Sequence, residues 1–123
     1  GRWYRVFFGG FPSQDEARSE LMRLVERGVV TEGSARILQT PLAFRLGEYD
    51  SREKAEKDRQ DFLTRFSIPS YAFEQQNGNA AVFCLYAGAF EEQGQAAYLG
   101  DRLEEAGLQG ELVERTGLWK TAR

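Results

Sequence analysis

The sequence predicts an α+β fold with an antiparallel sheet that carries its helices on one face. Three observations predict this fold. One unit, made of a strand, a Gly-x-aromatic turn and a helix, occurs three times along the chain. Apolar residues alternate along each strand segment and recur at helical spacing in the segment that follows. The pair Asn77-Gly78, between the second and third units, is a strong signal for a β-hairpin.

The first unit contains a strand at residues 4–8 and a helix that begins at Ser13 and ends at Gly28. Ser13 with Glu16 three residues later is the pattern of a capping box, and a glycine at the end is typical of a left-handed helix cap. We expect a second strand to follow this helix over Ala35–Gln39.

The second unit repeats this order, with a strand over Leu42–Leu46 and a helix from Ser51 to Phe66. Asp50 and Glu53 have the spacing of another capping box. The strand expected after this helix covers Ser70–Glu74.

The third unit has a strand over Phe83–Ala87, a helix from Glu92 to Gly107 and a second strand over Glu111–Arg115. The lone cysteine, Cys84, lies in the apolar strand, so we interpret it as a packed thiol. Gly107 is expected to end the helix as a left-handed cap.

Three offsets coincide in the three units. An aromatic residue follows each glycine by two positions: Phe11, Tyr49 and Phe90. An alanine and then a large apolar residue follow at fixed distances in each helix: Ala17 and Leu24, Ala55 and Phe62, Ala96 and Leu103. We expect the glycine to supply a backbone conformation or close approach that a Cβ would forbid as the strand turns into the helix, and the alanine to let the helix lie close to the sheet.

A hairpin at Asn77-Gly78 joins the second and third units into a ferredoxin-like βαββαβ sheet. We therefore assign residues 41–118 to a complete domain, residues 1–40 to an extra β-α-β half-repeat and residues 119–123 to a tail. Because the half-repeat cannot bury its helix alone, it either docks on the complete domain and extends the sheet, or pairs with its copy in a homodimer. We favour docking within one chain.

Composition excludes several classes of function. The chain has 123 residues, a formal net charge of −3 and no histidine. An acidic balance argues against nucleic acid as a partner, and the missing histidine removes the commonest general base and metal ligand. We therefore predict no enzyme activity, no metal site and no cofactor. The chain starts Gly1-Arg2-Trp3 without methionine or an apolar leader, so we expect a piece of a longer protein.

The repeated pattern, apolar-x-apolar-Gly-x-aromatic followed by a polar turn and a helix with alanine in its first turn, resembles the SPOR (sporulation-related repeat) domain. The resemblance covers nearly all of residues 41–118, and residues 1–40 resemble a further half-repeat. Its strongest matches are Leu46–Tyr49 with Ala55 and Ala87–Phe90 with Ala96.

This resemblance implies a bacterial cell-envelope module that binds peptidoglycan, favouring glycan strands stripped of their stem peptides. Family members commonly lie in the periplasm, tethered by a membrane segment or attached to a wall hydrolase, and gather at cell-division sites. The resemblance thus implies the soluble part of a membrane-anchored envelope protein, with its binding groove on the open face of the sheet. The family often has a glutamine two residues before the repeat glycine, where this chain has Phe7, Arg45 and Tyr86.

The sheet face away from the helices holds the candidate binding residues. Flat rings stack on sugar rings, and arginine donates in a planar fork to oxygen acceptors. The candidate glycan- or partner-binding residues are Arg5, Phe7, Arg45, Tyr71, Phe73 and Tyr86. Trp3 continues the first of these sets, and the face on which Tyr71 and Phe73 lie is ambiguous. The alternative places are the core for the aromatic residues and the solvated surface for the arginines.

Two functions from different classes follow from these observations. The first is a peptidoglycan-binding module that uses the aromatic and arginine residues of the open face. The alternative is a protein-interaction or assembly module for another envelope protein, which keeps the fold without binding glycan. The missing glutamine, the spare half-repeat and the exposed rings favour this alternative.

Overall fold

The structure, a computed structural model, describes Phe11 and residues 13–119. The chain divides into two compact units, Gly1–Ile37 and Leu38–Arg123. The strand expected at residues 4–8, with Trp3, Arg5 and Phe7, lies outside the described residues. No helix in the described part of the chain is long and apolar enough to cross a bilayer.

The first unit is built around helix α1, Gln14–Glu26. The hydroxyl of Ser13 accepts a hydrogen bond from the backbone N–H of Glu16 at 3.2 Å, which confirms the expected cap. Gly28 has φ +74° and ends the helix in the left-handed conformation, also as expected. No side chain of α1 is buried.

The strand expected over Ala35–Gln39 is wrong. Residues 35–41 are irregular backbone, and no described strand pairs with them. A strand needs a neighbouring backbone for its hydrogen bonds, and no described strand lies beside these residues.

The second unit contains a five-stranded antiparallel sheet with the order β4-β1-β3-β2-β5. Its elements in chain order are β1 (Leu42–Tyr49), α2 (Arg52–Phe66), β2 (Tyr71–Asn77), β3 (Ala80–Phe90), a 3-10 turn (Gln93–Ala96), α3 (Ala97–Glu105), β4 (Glu111–Glu114) and β5 (Leu118–Trp119). The first four strands have the ferredoxin-like order, so the predicted fold class is confirmed. The hairpin between β2 and β3 is also confirmed, with Asn77 paired to Ala80 and φ +67° at Gly78.

Helices α2 and α3 cover one face of this sheet. The buried core between them and the strands consists of Phe44, Ile68, Ala87, Ala96 and Leu103. Ala55, in the first turn of α2, is 1 % exposed, as the repeat alanine is expected to be where a helix lies close to strands.

The cap of α2 differs from the expectation by one residue. Ser51, not Asp50, accepts the hydrogen bond from the N–H of Lys54, at 3.2 Å. Asp50 instead pairs its carboxylate with the Lys54 ammonium at 2.9 Å. Both serine and aspartate can cap a helix N-terminus by accepting a backbone hydrogen bond. Here Ser51, which has the extended backbone of an N-cap residue, takes this role in place of Asp50.

The two repeat glycines in the described residues, Gly47 and Gly88, lie inside strands rather than where the strand turns into the helix. Pairing of β1 with β3 runs from Arg45↔Tyr86 to Gly47↔Leu85, which leaves Leu46 as an extra residue. In β3 the register likewise gains one residue at Gly88-Ala89. Gly47 and Gly88 therefore each lie at a β-bulge, which bends the sheet and changes the alternation of side chains.

Candidate binding face

The sheet face opposite the helices carries a second apolar cluster. Its buried members are Ala43, Phe73, Cys84 and Tyr86, with Tyr71, Val82 and Val113 packed against them. We call this surface the aromatic face. Tyr71 and Phe73 thus lie on the same side as Tyr86, which resolves the ambiguity in the sequence.

Three rings of the aromatic face contact one another because strand pairing places them together. Tyr71 lies opposite Tyr86 and Phe73 opposite Cys84 in the β2–β3 ladder. Ring centroids of Phe73 and Tyr86 are 5.5 Å apart in an edge-to-face arrangement, and those of Tyr71 and Phe73 are 5.4 Å apart. These distances are in the range of favourable aromatic pairs.

The aromatic face is not uncovered, and that expectation is wrong. Tyr86 is 1 % exposed and Phe73 is 5 % exposed. Residues 115–119, which we call the strap, leave β4 at one edge of the sheet and reach the opposite edge, where β5 pairs with β2. The strap lies against Tyr71, Phe73 and Tyr86, the aromatic residues that the sequence predicts to contact a ligand.

Arg115 is the first contact of the strap. Its guanidinium carbon lies 5.8 Å from the ring centroid of Tyr71 and 5.4 Å from that of Phe73, within cation–π distance. Its Nη1 donates to the Tyr71 hydroxyl at 3.2 Å, and its Nη2 donates to the Thr40 carbonyl. One cation therefore bridges two rings and the segment before β1.

Thr116 and Gly117 continue the contact across β3 and β2. The N–H of Thr116 donates to the Tyr86 hydroxyl at 3.3 Å, and the Gln75 side-chain amide donates to the Thr116 carbonyl at 3.0 Å. Gly117 has φ +99°, and a Cβ there would lie 2.7 Å from the Glu74 carbonyl oxygen. Only glycine satisfies both the backbone angle and this close approach.

The strap requires the sheet to be curved. From Glu114, paired with Leu42 on β1, to Leu118, paired with Glu74 on β2, there are four Cα steps. Four steps reach about 15 Å at most, whereas four interstrand spacings in a flat sheet amount to about 19 Å. A β-bulge bends a sheet, so the bulges at Gly47 and Gly88 account for a bend in the sense that the strap requires, with the aromatic face concave towards the strap.

Arg45 lies beside Tyr86 but is engaged by carboxylates. It pairs with Tyr86 across β1 and β3, and its guanidinium contacts Glu111 at 3.0 Å and Glu48 at 3.5 Å. All three side chains are at least partly exposed, so these pairs are screened by solvent and weak. A ligand oxygen could replace either carboxylate at little cost.

Burial changes the acid–base properties of two groups on this face. Burial raises the pKa of the Tyr71 hydroxyl, and the Arg115 charge opposes that rise. Burial also raises the pKa of the Cys84 thiol, and the nearby Glu48 carboxylate adds to the rise. Both groups are therefore neutral at pH 7, and Cys84 is a poor nucleophile, as the expectation of a packed thiol requires.

A cleft of about 860 Å³ borders Arg45 at the far end of β1. It exists because β4 pairs with β1 only as far as Arg45, so among the described strands none pairs with the following residues of β1 on that side. Its polar lining includes the carboxylates of Glu48, Glu104 and Glu111. This balance does not suit an anionic ligand.

The structure brings four of the six predicted binding residues together, namely Arg45, Tyr71, Phe73 and Tyr86. Arg5 and Phe7 lie outside the described residues. The residues missed from the sequence are those of the strap, above all Arg115 and Thr116. A glycine with two apolar residues after the last predicted strand was the available signal, but it does not indicate where that segment lies.

The described residues contain no group of three or more acidic or cysteine side chains that could hold a metal ion. Comparison with known proteins gives one match: the model of the SPOR domain family matches residues 1–31. No curated protein and no solved structure matches the chain. We expected the complete SPOR-like domain at residues 41–118, whereas the match lies on the half-repeat before it. The chain is thus similar to SPOR domains over its first unit.

Proposed function

We propose that this chain is a non-catalytic module of the bacterial cell envelope that binds the glycan strands of peptidoglycan. The binding surface is the aromatic face together with Arg45. The similarity of residues 1–31 to SPOR domains supports the cell-envelope context. The observation that carries the proposal is the grouping of Tyr71, Phe73 and Tyr86 on one concave sheet face.

The chemistry of this face suits a sugar polymer. Rings offer flat apolar surfaces for the faces of sugar rings, and tyrosine hydroxyls and arginine donate to hydroxyl and acetamido oxygens. Glycan strands without stem peptides keep one lactyl carboxylate on each N-acetylmuramic acid, and a guanidinium such as that of Arg45 is a suitable donor to this group.

Co-sedimentation with purified peptidoglycan sacculi tests the proposal. Sacculi treated with an amidase, which removes stem peptides, should retain more of the chain than untreated sacculi. If amidase treatment does not raise the bound fraction above that of a control protein, glycan binding is wrong.

Arg45→Gln locates the site. Because the Arg45 side chain is partly exposed and its ion pairs are weak, the substitution should lower binding to stripped sacculi while changing the free energy of unfolding by less than about 1 kcal/mol. Arg59→Gln is the matched control, because it removes the same charge and a similar ion pair from helix α2, where Arg59 pairs with Glu56. Equal binding by the two variants would place the site elsewhere.

A second candidate is a protein-interaction module that has kept this fold without binding glycan. The occupied aromatic face favours it, since the strap already fills the position of a ligand. In this case untreated and stripped sacculi bind the chain equally poorly, and its partner is another envelope protein.

A further inference from the structure

We propose that residues 115–119 form a displaceable strap, which closes the aromatic face in the conformation described and must leave before a ligand can bind. This inference concerns the regulation of the proposed glycan site, and the ligand part of it rests on the proposed function. The strap itself is argued from contacts within the second unit.

The strap occupies the groups that a ligand needs. Arg115 covers Tyr71 and Phe73 and takes the Tyr71 hydroxyl as an acceptor at 3.2 Å. The backbone N–H of Thr116 donates a hydrogen bond to the Tyr86 hydroxyl. A sugar polymer cannot stack on these rings while the guanidinium and the backbone of the strap lie on them.

The strand pairing of the strap is short, and the described side-chain contacts of residues 115–117 are polar. Strand β5 has two residues, which pair with Phe73 and Glu74, whereas strands of five or six residues are usual. The described side-chain contacts of the strap are hydrogen bonds and cation–π contacts, which ligand hydroxyls and water can replace.

The closed conformation also contains two unfavourable features. The Nε of Arg115 is buried without a hydrogen-bond partner in the described structure, and a buried unsatisfied donor is costly. The left-handed backbone of Gly117 restricts a residue that has wide conformational freedom once released. Both features lower the stability of the closed conformation relative to a released strap.

Cys84 supplies a probe of strap opening that is independent of glycan. It is the single cysteine of the chain, it is 2 % exposed on the aromatic face, and it lies opposite Phe73 in the β2–β3 ladder. The thiol is packed with Phe73 and Tyr86, the rings that the strap contacts, so we expect a reagent such as DTNB to reach it more often once the strap has left these rings. The modification rate then follows the population of the open conformation.

Gly117→Ala disfavours the strap, because the added Cβ would lie 2.7 Å from the Glu74 carbonyl oxygen at a backbone angle that alanine rarely adopts. A left-handed non-glycine residue and a backbone clash should raise the modification rate of Cys84 at least about tenfold. Gly94→Ala is the matched control, because a Cβ at Gly94 has nothing within 4 Å. A second variant, Tyr86→Phe, keeps the ring and removes the hydroxyl that Thr116 uses, and should raise the rate as well. The same hydroxyl lowers the pKa of the Cys84 thiol through a hydrogen bond, so its loss acts against this increase, and the rates are compared after correction for the thiolate fraction of each variant.

The experiment uses the full 123-residue chain, with DTNB kinetics at several low urea concentrations and sedimentation with stripped sacculi. Faster modification that depends only weakly on urea indicates local opening, since little surface is exposed, and supports the strap. The strap proposal is overturned if Gly117→Ala and Tyr86→Phe are both modified at the wild-type rate. It is also overturned if the modification rates rise with urea as steeply as global unfolding does. Faster modification with increased sacculus binding supports both proposals. Faster modification while no variant binds sacculi supports the strap and contradicts the glycan function.

Discussion

The ring of Phe90 lies over Gly88 so closely that a Cβ at Gly88 would be 2.5 Å from the ring atom Cζ. Leu99 of α3 would be 2.9 Å from the same Cβ, and Gly88 has φ +79°. At Gly47 the ring of Tyr49 occupies the equivalent place, with its hydroxyl 2.7 Å from an added Cβ, but φ is not positive there. In these two copies, the Gly-x-aromatic pattern is therefore an aromatic ring packed on glycine backbone at a β-bulge.

These two glycines should respond unequally to substitution by alanine. Gly88→Ala adds backbone strain to a steric overlap and should lower the free energy of unfolding by about 3 kcal/mol. Gly47→Ala adds the overlap alone and should cost about 1–2 kcal/mol. Urea denaturation measures both values.

Gly94→Ala is the control for these two variants, because the new methyl group meets no atom within 4 Å. It should change the free energy of unfolding by less than about 0.5 kcal/mol. If Gly88→Ala unfolds at the same urea concentration as Gly94→Ala, the ring contact does not restrict this position.

The sequence carried enough information for the ferredoxin-like sheet because local signals agree with one another. The Asn77-Gly78 turn and the left-handed glycine at Gly107 each depend on nearest neighbours, and both are present in the structure. Pairing partners are not encoded locally. The failure of the strand expected over Ala35–Gln39 shows this, since its residues have suitable composition but no described partner strand.

The candidate site was predicted less completely for the same reason. Strand parity placed Tyr86 and Arg45 on one face correctly. Whether that face is exposed depends on where Arg115 and Thr116 lie, and these contact residues 30 to 75 positions away in the chain. No periodic pattern specifies such a contact, so a ring that sequence assigned to ligand is covered by the chain itself.

Ser67 offers a stabilising substitution. It ends α2 with φ 55° and ψ 34°, and it is the single described non-glycine residue with positive φ. A left-handed backbone conformation destabilises a non-glycine residue by roughly 1–2 kcal/mol, and glycine removes this strain. Glycine also has more conformational freedom in the unfolded chain, which offsets part of the gain in stability. Ser67→Gly should therefore raise the free energy of unfolding by about 0.5–1 kcal/mol in urea denaturation. A loss of stability would mean that the serine side chain contributes more than its backbone strain costs.

Arg102 of α3 ties the end of α2 to the neighbouring helix. Its Nη2 donates to the carbonyls of Ser67 at 3.0 Å and Phe66 at 3.3 Å, which are among the unpaired carbonyls at a helix C-terminus. Arg102→Met keeps most of the apolar stem and should cost about 1 kcal/mol in free energy of unfolding. Arg102→Lys should restore part of this, since one ammonium can reach one carbonyl and keeps the favourable charge. Equal stability of Met and Lys variants would show that these hydrogen bonds contribute nothing.

The last prediction concerns alkaline pH. The Tyr49 hydroxyl donates to the Asp58 carboxylate at 2.6 Å, and burial followed by the Asp58 interaction raises the pKa of Tyr49 well above its ordinary value of 10.0. Above pH 10 the unfolded chain loses this proton while the folded chain keeps it, so the folded state binds more protons and stability must fall as the pH rises. The raised pKa of Cys84, from an ordinary value of 9.0, acts in the same direction from about pH 9 upwards.

Tyr49→Phe isolates the contribution of this hydroxyl. The variant should be less stable than wild type at pH 7, because the hydrogen bond to Asp58 is lost. Above pH 10 the free energy of unfolding of the variant should fall less steeply with pH than that of wild type. The difference in slope corresponds to at most one proton, so the two plots of stability against pH converge. Urea denaturation at pH values from 7 to 11 measures the slopes, with the same substitution at Tyr98, which is 76 % exposed, as the matched control. Parallel curves for wild type and Tyr49→Phe above pH 10 would contradict the raised pKa, because a proton retained only by the folded state must appear as a difference in slope.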